Sequence, residues 1–409
     1  MKKIFALLML TVLLASLVPC VSAVESGWEI DYSDSVDWNK FRDQGVTLNV
    51  YNWGEYISVD DGEEGAFDVN AAFEELTGID VVYSNFASNE ELYAKLKMGG
   101  SQYDIIIPSD YMISRMINEG MLNKLNYDNI PNFAYTNPQF VNPDYDPTNE
   151  YSVPYLWGIV GIIYNTTLVD AEDDVHTWDI LWNEKYANNI LMFSNSRDTF
   201  GIALKRLGHS FNTTDEEAIR AAAQSLIEQK PIVQAYVMDE IFDKMIGGEA
   251  ALAPYYAGDA ITMMADNPDL AFAVPAGGTN VFVDAMCIPK TAKNQEAAEL
   301  YINFMCETLV ALKNAEYVGY ATPHTEAFTY LDEETQTSVT YPDDEILAIS
   351  EAYIALPDAT TALLDGLWTD ILSTGESSPW VTPVFIVVCL ALTFAINAFK
   401  RQKKKKTNF

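Results

Sequence analysis

The sequence predicts an α/β fold with a mostly parallel sheet, on three observations. Strand-like and helix-like segments alternate from Val46 onward, residues 103–108 form a short continuous apolar run, and a second alternating series begins after residue 150. Alternation of this kind covers both faces of a sheet with helices, which leaves its strands apolar on both sides. At 409 residues, 49% of them hydrophobic, the chain has material for two domains of ordinary size.

Residues 46–51 alternate at period 2, the mark of a half-buried strand. Residues 66–76 carry helical periodicity and stop at Gly78; 79–83 is a second strand, and 89–98 a helix stopped by Gly99 and Gly100. The apolar strand 103–108 precedes a helix over 113–121. In the second series 158–164 is a strand, 178–182 a short helix and 189–193 a strand, followed by helices over 198–207 and 215–229. Strands over 271–274 and 281–288 lead into an amphipathic helix over 294–306, and 343–372 is mostly helical. Residues 24–45 are polar and acidic and read as a linker or ordering arm.

Both ends carry address signals. Lys2 and Lys3 precede an apolar run over 4–18, and Val21-Ser22-Ala23 offers a small-residue cleavage site, so 1–23 reads as an export signal. Pro19 stands where a small residue should precede a lipidated Cys20, which argues against a lipid anchor. Residues 380–399 contain no charge and, at about 1.5 Å per residue, span a hydrocarbon core of roughly 30 Å. The basic tail 400–409 follows at once, which sets a transmembrane helix with a cytoplasmic carboxyl end. The Leu-Pro-x-Thr-Gly motif of a cell-wall sorting signal is missing; Leu372-Ser373-Thr374-Gly375 lacks its proline.

Charge narrows the partners. The formal net charge is −35, and residues 24–378 alone hold 59 acids against sixteen cations, a net −43. Such a body repels nucleic acid and anionic lipid and concentrates cations near its surface. Catalytic chemistry finds no support. The three histidines, His176, His209 and His324, lie in polar turn-like contexts without metal-ligand spacing, and read as surface residues. There is no nucleophile elbow, phosphate loop or dinucleotide fingerprint. Cys20, Cys287, Cys306 and Cys389 have no redox or metal spacing either. The chain reads as a binder, with no cofactor and no metal.

In open α/β sheets ligands bind beyond the carboxyl ends of strands. Three such loops pair an aromatic ring with a carboxylate: Trp53-Gly-Glu55-Tyr56, Asp110-Tyr111 and Phe282-Val-Asp284. A ring face attracts an alkylammonium and covers its methylenes, while the acid accepts its N–H bonds. A diamine needs that device twice.

At this point the chain resembles the spermidine/putrescine-binding proteins of polyamine ABC importers. The matching strings are Leu-Asn-Val-Tyr-Asn-Trp-Gly-Glu-Tyr (48–56), Phe-Glu-Glu-Leu-Thr-Gly-Ile (73–79), Ser-Asn-Glu-Glu-Leu-Tyr-Ala-Lys-Leu (88–96) and Tyr-Asp-Ile-Ile-Ile-Pro-Ser (103–109). Val-Pro-Tyr-Leu-Trp-Gly (153–158), Val-Asp-Ala-Met-Cys-Ile-Pro (283–289) and Gly-Tyr-Ala-Thr-Pro (319–323) complete the set. The resemblance implies a two-lobed periplasmic-binding-protein-like fold, hinged to close on ligand in an acidic, aromatic-lined interlobe cleft. Lobe 1 would comprise 46–159 and 284–328, lobe 2 160–283 and 329–376.

It also implies roles. Trp53 and Tyr56 become wall residues with Glu55 beside them, Ser109 and Tyr111 contribute hydroxyl and ring contacts, Asp284 holds a terminal amine, and Tyr320 adds a further wall. Phe282 stands where the family often has Trp. Asp198 replaces the usual Glu at an amine site, and Asn195 replaces an Asp near the inner amine, which favours putrescine. Tyr255 aligns with a Trp wall position, and Asp259 is an extra acid with no assigned role.

The implied partners are a polyamine ligand, ABC permease subunits with their cytoplasmic ATPase, and the membrane through the terminal helix, with no nucleic acid; the receptor is expected to be a monomer. Two other readings keep the fold: a membrane-tethered sensor or adhesin domain, and a binder of another small cationic solute.

Overall fold

The computed structural model describes residues 32–62, 66–100 and 102–374. The leader, the 380–399 stretch and the basic tail lie outside the described residues. Among those described, no helix is long and apolar enough to cross a membrane.

The described strands are, in chain order, β1 (Thr47–Trp53), β2 (Asp80–Phe86), β3 (Ile105–Ile106), β4 (Ser152–Asn165), β5 (Ile190–Phe193), β6 (Val233–Val237), β7 (Leu252–Tyr256), β8 (Leu270–Ala273), β9 (Asn280–Cys287) and β10 (Glu351–Ala352). The longer described helices are α1 (Val69–Thr77), α2 (Asn89–Met98), α3 (Asp110–Asn118), α4 (Ser196–Arg206), α5 (Glu216–Gln229), α6 (Ala257–Asp266), α7 (Gln295–Met305), α8 (Thr308–Val318) and α9 (Asp358–Ser373).

The chain forms two compact units. The first holds the described residues up to Trp157 together with Val283–Tyr341; the second holds Gly158–Phe282 and the described residues from Pro342. The chain therefore passes between units three times. The last passage falls at 341/342, beyond the 328/329 boundary expected from the resemblance, because the helix Thr325–Tyr330 and the segment to Tyr341, with its helical turn Glu333–Gln336, stay with the first unit. Leu331 and Ala327 pack there with Leu312 of α8, and Tyr341 backs them.

In the first unit β1 pairs in parallel with β2, from Thr47 opposite Asp80 to Trp53 opposite Phe86, and with β3 on its other side. Strand β9 runs antiparallel to β3, with Ile106 opposite Cys287. Fully buried Tyr51, Ile106, Met112, Ile113 and Met116 make the core beneath. Helix ends follow their sequence signals. Asp68 caps α1 by accepting from the Ala71 N–H, and Gly78 closes it at φ +72°, a left-handed geometry that costs glycine nothing. Ser88 caps α2 by accepting from the Glu91 N–H.

In the second unit β4 runs antiparallel to both β7 and β8, while β5 is parallel to β6 and β7. The sheets are thus mixed rather than mostly parallel. The antiparallel pairs all involve β4 or β9, the two strands that carry the chain from one unit into the other.

Further expectations are decided or corrected. Of the two readings of 24–45, linker or ordering arm, the described residues 32–45 pack as an arm: Trp38 is buried, its ring 6.3 Å from Phe304 and 5.8 Å from Tyr32, and Arg42 donates to the Glu75 and Leu76 carbonyls at the end of α1. Lys40 pairs with Glu296 on α7. Aromatic burial outweighs the polar composition that suggested a linker. The helix expected over 113–121 starts at Asp110, shortening the preceding strand to Ile105–Ile106.

His324 is buried rather than on the surface. Its Nδ1 accepts the Ala327 N–H at 3.1 Å, capping the short helix, and its Nε2 lies 3.1 Å from the Cys306 carbonyl. Burial lowers its pKa, so the ring is held neutral with its proton on Nε2, where it donates to that carbonyl.

Candidate functional site

In the first unit three distant segments converge on one carboxylate. Asp284 is buried on β9; Tyr56 follows the turn after β1; Ser109 precedes α3. The Tyr56 hydroxyl donates to Asp284 Oδ2 at 2.8 Å, and the Ser109 hydroxyl donates to Oδ1 at 2.6 Å. Two O–H donors on one buried carboxylate stabilise its ionised form. Tyr320, just after the Gly319 cap of α8, sets its ring edge-on to Tyr56 at 4.8 Å, and Tyr155 does the same at 5.4 Å. Tyr155 also donates to the Tyr56 carbonyl at 2.6 Å and accepts from Asn314 at 2.9 Å. Burial raises the pKa of its hydroxyl strongly, so it stays a neutral donor.

The remaining predicted residues of this unit are held differently. Trp53 ends β1 half-buried, with its indole N–H donating to the Ile107 carbonyl at 2.9 Å and its ring 4.5 Å from Phe86. Tyr111 lies in the first turn of α3 and donates to Glu90 Oε1 at 2.9 Å. Glu55 occupies the turn after β1 at φ +45°, a left-handed conformation, with its side chain exposed. The structure therefore gathers Tyr56, Ser109, Asp284 and Tyr320 into one cluster and sets Glu55 on the surface.

The second unit builds a similar arrangement around Asp198. Asn195 caps α4 by accepting the Asp198 N–H at 2.8 Å, and its amide donates back to Asp198 Oδ2 at 2.8 Å. The Tyr256 hydroxyl donates to the same Oδ2 at 2.7 Å. Phe282 meets the Tyr256 ring edge-on at 5.3 Å. Burial pushes the Asp198 carboxyl up; hydrogen bonds from Tyr256, Asn195 and Tyr353 and the charge of Arg197 oppose it. Arg197 is buried 4.3 Å over the Tyr353 ring and donates to the Phe211 carbonyl and Asn212.

Tyr255 is corrected by one position. Its ring is 1% exposed and stacks on Phe193 within the core, whereas its neighbour Tyr256 reaches Asp198. Adjacent strand residues point to opposite faces, so only one of the pair can face the carboxylate. Sequence reading also missed Tyr353, which lies in a stretch expected to be helical and instead follows β10. The Tyr-Tyr dipeptide was the available signal for Tyr256; Tyr353 carries none. Asp259 lies buried in the first turn of α6; burial raises the Tyr255 hydroxyl pKa, and the charges of Asp259, Asp239, Glu240 and Asp198 add to the rise.

Each unit therefore presents a buried acid, hydroxyl donors that hold it, and aromatic rings around it. Such a group accepts N–H bonds from an alkylammonium and covers its carbon chain.

A family model described as bacterial extracellular solute-binding protein matches residues 69–345. The spermidine/putrescine-binding periplasmic protein of Salmonella typhimurium is 35% identical over 316 residues, covering 77% of this chain and 88% of its own. The protein of the same description from Escherichia coli is 36% identical over 311 residues, covering 76% and 87%. The solved spermidine/putrescine ABC transporter substrate-binding protein of Streptococcus pneumoniae, in complex with calcium and HEPES, is 38% identical with a TM-score of 0.66. It covers 80% of this chain and 98% of its own.

Proposed function

This chain belongs to the bacterial extracellular solute-binding protein family, among its spermidine/putrescine-binding members, and we propose that it captures a polyamine outside the cell membrane and delivers it to an ABC permease. The observation that carries this is the acid and tyrosine pairing found once in each unit: Asp284 with Tyr56, and Asp198 with Tyr256. A diamine presents ammonium groups on a carbon chain, and a buried acid held by a tyrosine hydroxyl suits such a group. The acids bind and orient; nothing in this reading asks them to transfer a proton.

Asn195 spends its amide on Asp198 and adds no charge of its own. The loop after β5 thus offers a single anion, which suits a dication such as putrescine at least as well as spermidine. The uncharged 380–399 stretch would tether the chain, with the binding units outside and the basic tail in the cytoplasm. Recovery of the chain from the medium, rather than with washed membranes, would overturn the tether.

Isothermal calorimetry on the full chain tests the central reading. Micromolar or tighter binding of putrescine or spermidine, with no response to neutral amino acids, is the expected result. No heat from either polyamine would overturn it.

The correction at residue 255 makes its own prediction. Tyr256→Phe removes a charge-assisted hydrogen bond to Asp198 and should weaken binding by about 1.5–3 kcal/mol. Tyr255→Phe, in the core, should change affinity by less than about 0.5 kcal/mol. The reverse pattern in the same titrations would restore Tyr255 as the contact.

A further inference from the structure

We infer that Asn89, which none of the recognition chemistry above uses, is a positioning residue that aims the Ser109 hydroxyl at Asp284. The inference rests on the polyamine-binding reading and deepens it. Asn89 is the first residue of α2 and is buried. Its carboxamide meets Ser109 twice. The Ser109 backbone N–H donates to Asn89 Oδ1 at 3.0 Å, and Asn89 Nδ2 donates to Ser109 Oγ at 3.0 Å.

The first bond removes the ambiguity of the second. A backbone N–H can only donate, so the amide atom facing it must be oxygen, and the atom facing Ser109 Oγ must be the NH2 group. The hydroxyl oxygen is then an acceptor on that side. Its single proton is left for Asp284 Oδ1, 2.6 Å away.

A hydroxyl rotor is ordinarily free to choose among its acceptors. Here one buried amide sets its direction before any ligand arrives. With Tyr56 donating to Oδ2, both oxygens of Asp284 receive a proton donor, which holds the carboxylate in one orientation and favours its ionised form. A preset acid avoids ordering costs on binding. Tyr145 and Tyr155 also lie within electrostatic reach of Asp284; burial raises both phenols, so they remain neutral through the pH range of interest.

The test compares Asn89→Ala, Ser109→Ala and the double variant as full chains, titrated with putrescine and spermidine from pH 4.5 to 7.5, with thermal unfolding followed in parallel. Asn89→Ala should weaken binding about tenfold, because the released Ser109 hydroxyl no longer holds its charge-assisted bond to Asp284 in place. The double variant should be no weaker than Ser109→Ala alone, because the amide acts through the serine. The acid limb of the binding profile should move to higher pH by the same amount in all three.

A merely structural Asn89 would lower the unfolding temperature yet leave affinity and acid limb at those of the unaltered chain. That result, or additive losses in the double variant, overturns the inference while the polyamine reading stands. An unaltered chain that binds no polyamine overturns both.

Discussion

Asp284→Asn is expected to abolish micromolar polyamine binding while leaving the first unit folded. The substitution keeps the size and planarity of the side chain and removes only its charge. Ser109 keeps donating to the amide oxygen in the Oδ1 position, and Tyr56 adapts, since its hydroxyl can rotate to accept from the NH2 group that replaces Oδ2. The cluster therefore keeps its hydrogen bonds. What it loses is the counter-charge for a desolvated ammonium, and breaking one side of such a pair costs about 2–5 kcal/mol. Calorimetry should show affinity falling by that amount, with an unfolding temperature within a few degrees of the unaltered chain. Unchanged affinity would remove Asp284 from the site, and loss of folding would reassign it to structure.

The second large effect runs in two directions at once. Asp198→Asn should weaken polyamine binding by a similar amount and stabilise the ligand-free protein. The sign follows from the carboxyl's elevated pKa. Burial raises it from its ordinary value of 3.8, so the folded state holds a proton that the unfolded state has already released. Stability from this group is complete below 3.8 and declines as pH rises through the folded pKa. Above the folded pKa the ionised acid is a standing cost, offset in part by Tyr256, Asn195, Tyr353 and the charge of Arg197.

Asparagine at 198 removes that cost. Thermal unfolding without ligand should rise at pH 7, by about 2–4 °C for each kcal/mol recovered, and its decline between acid and neutral pH should flatten. A neutral-pH unfolding temperature lower than that of the unaltered chain would show that hydrogen bonding outweighs burial at this carboxylate. Buried charge kept at the expense of stability is a common feature of binding sites.

Much of this was legible in the chain itself. Period-2 and helical patterns located β1, β2, α1, α2 and α5 to within a few residues, because partial burial writes its period into the sequence; β5 and α7, buried nearly all round, were found by their apolar residues. Caps read directly where a side chain bonds a neighbouring backbone, as Asp68, Ser88 and Gly78 do. The acidic body was equally plain. Strands β6 and β7 escaped notice because short apolar runs beside helices carry no distinguishing period.

Tertiary structure alone decided which residues meet. Tyr56, Ser109 and Asp284 come from three segments separated by more than 50 residues each, and nothing local tells which acid their hydroxyls serve. The choice of Tyr256 over Tyr255 depends on how the end of β7 turns into α6, and the burial of His324 and Trp38 on what packs over them. Strand and helix periods, and caps, are properties of neighbours along the chain. The orientation of the Ser109 proton is a property of neighbours in space, set by an asparagine twenty residues away on another helix. The sequence by itself showed an acidic chain with rings and carboxylates paired at strand ends; the packed structure decided which acids are buried, and what holds each one ready.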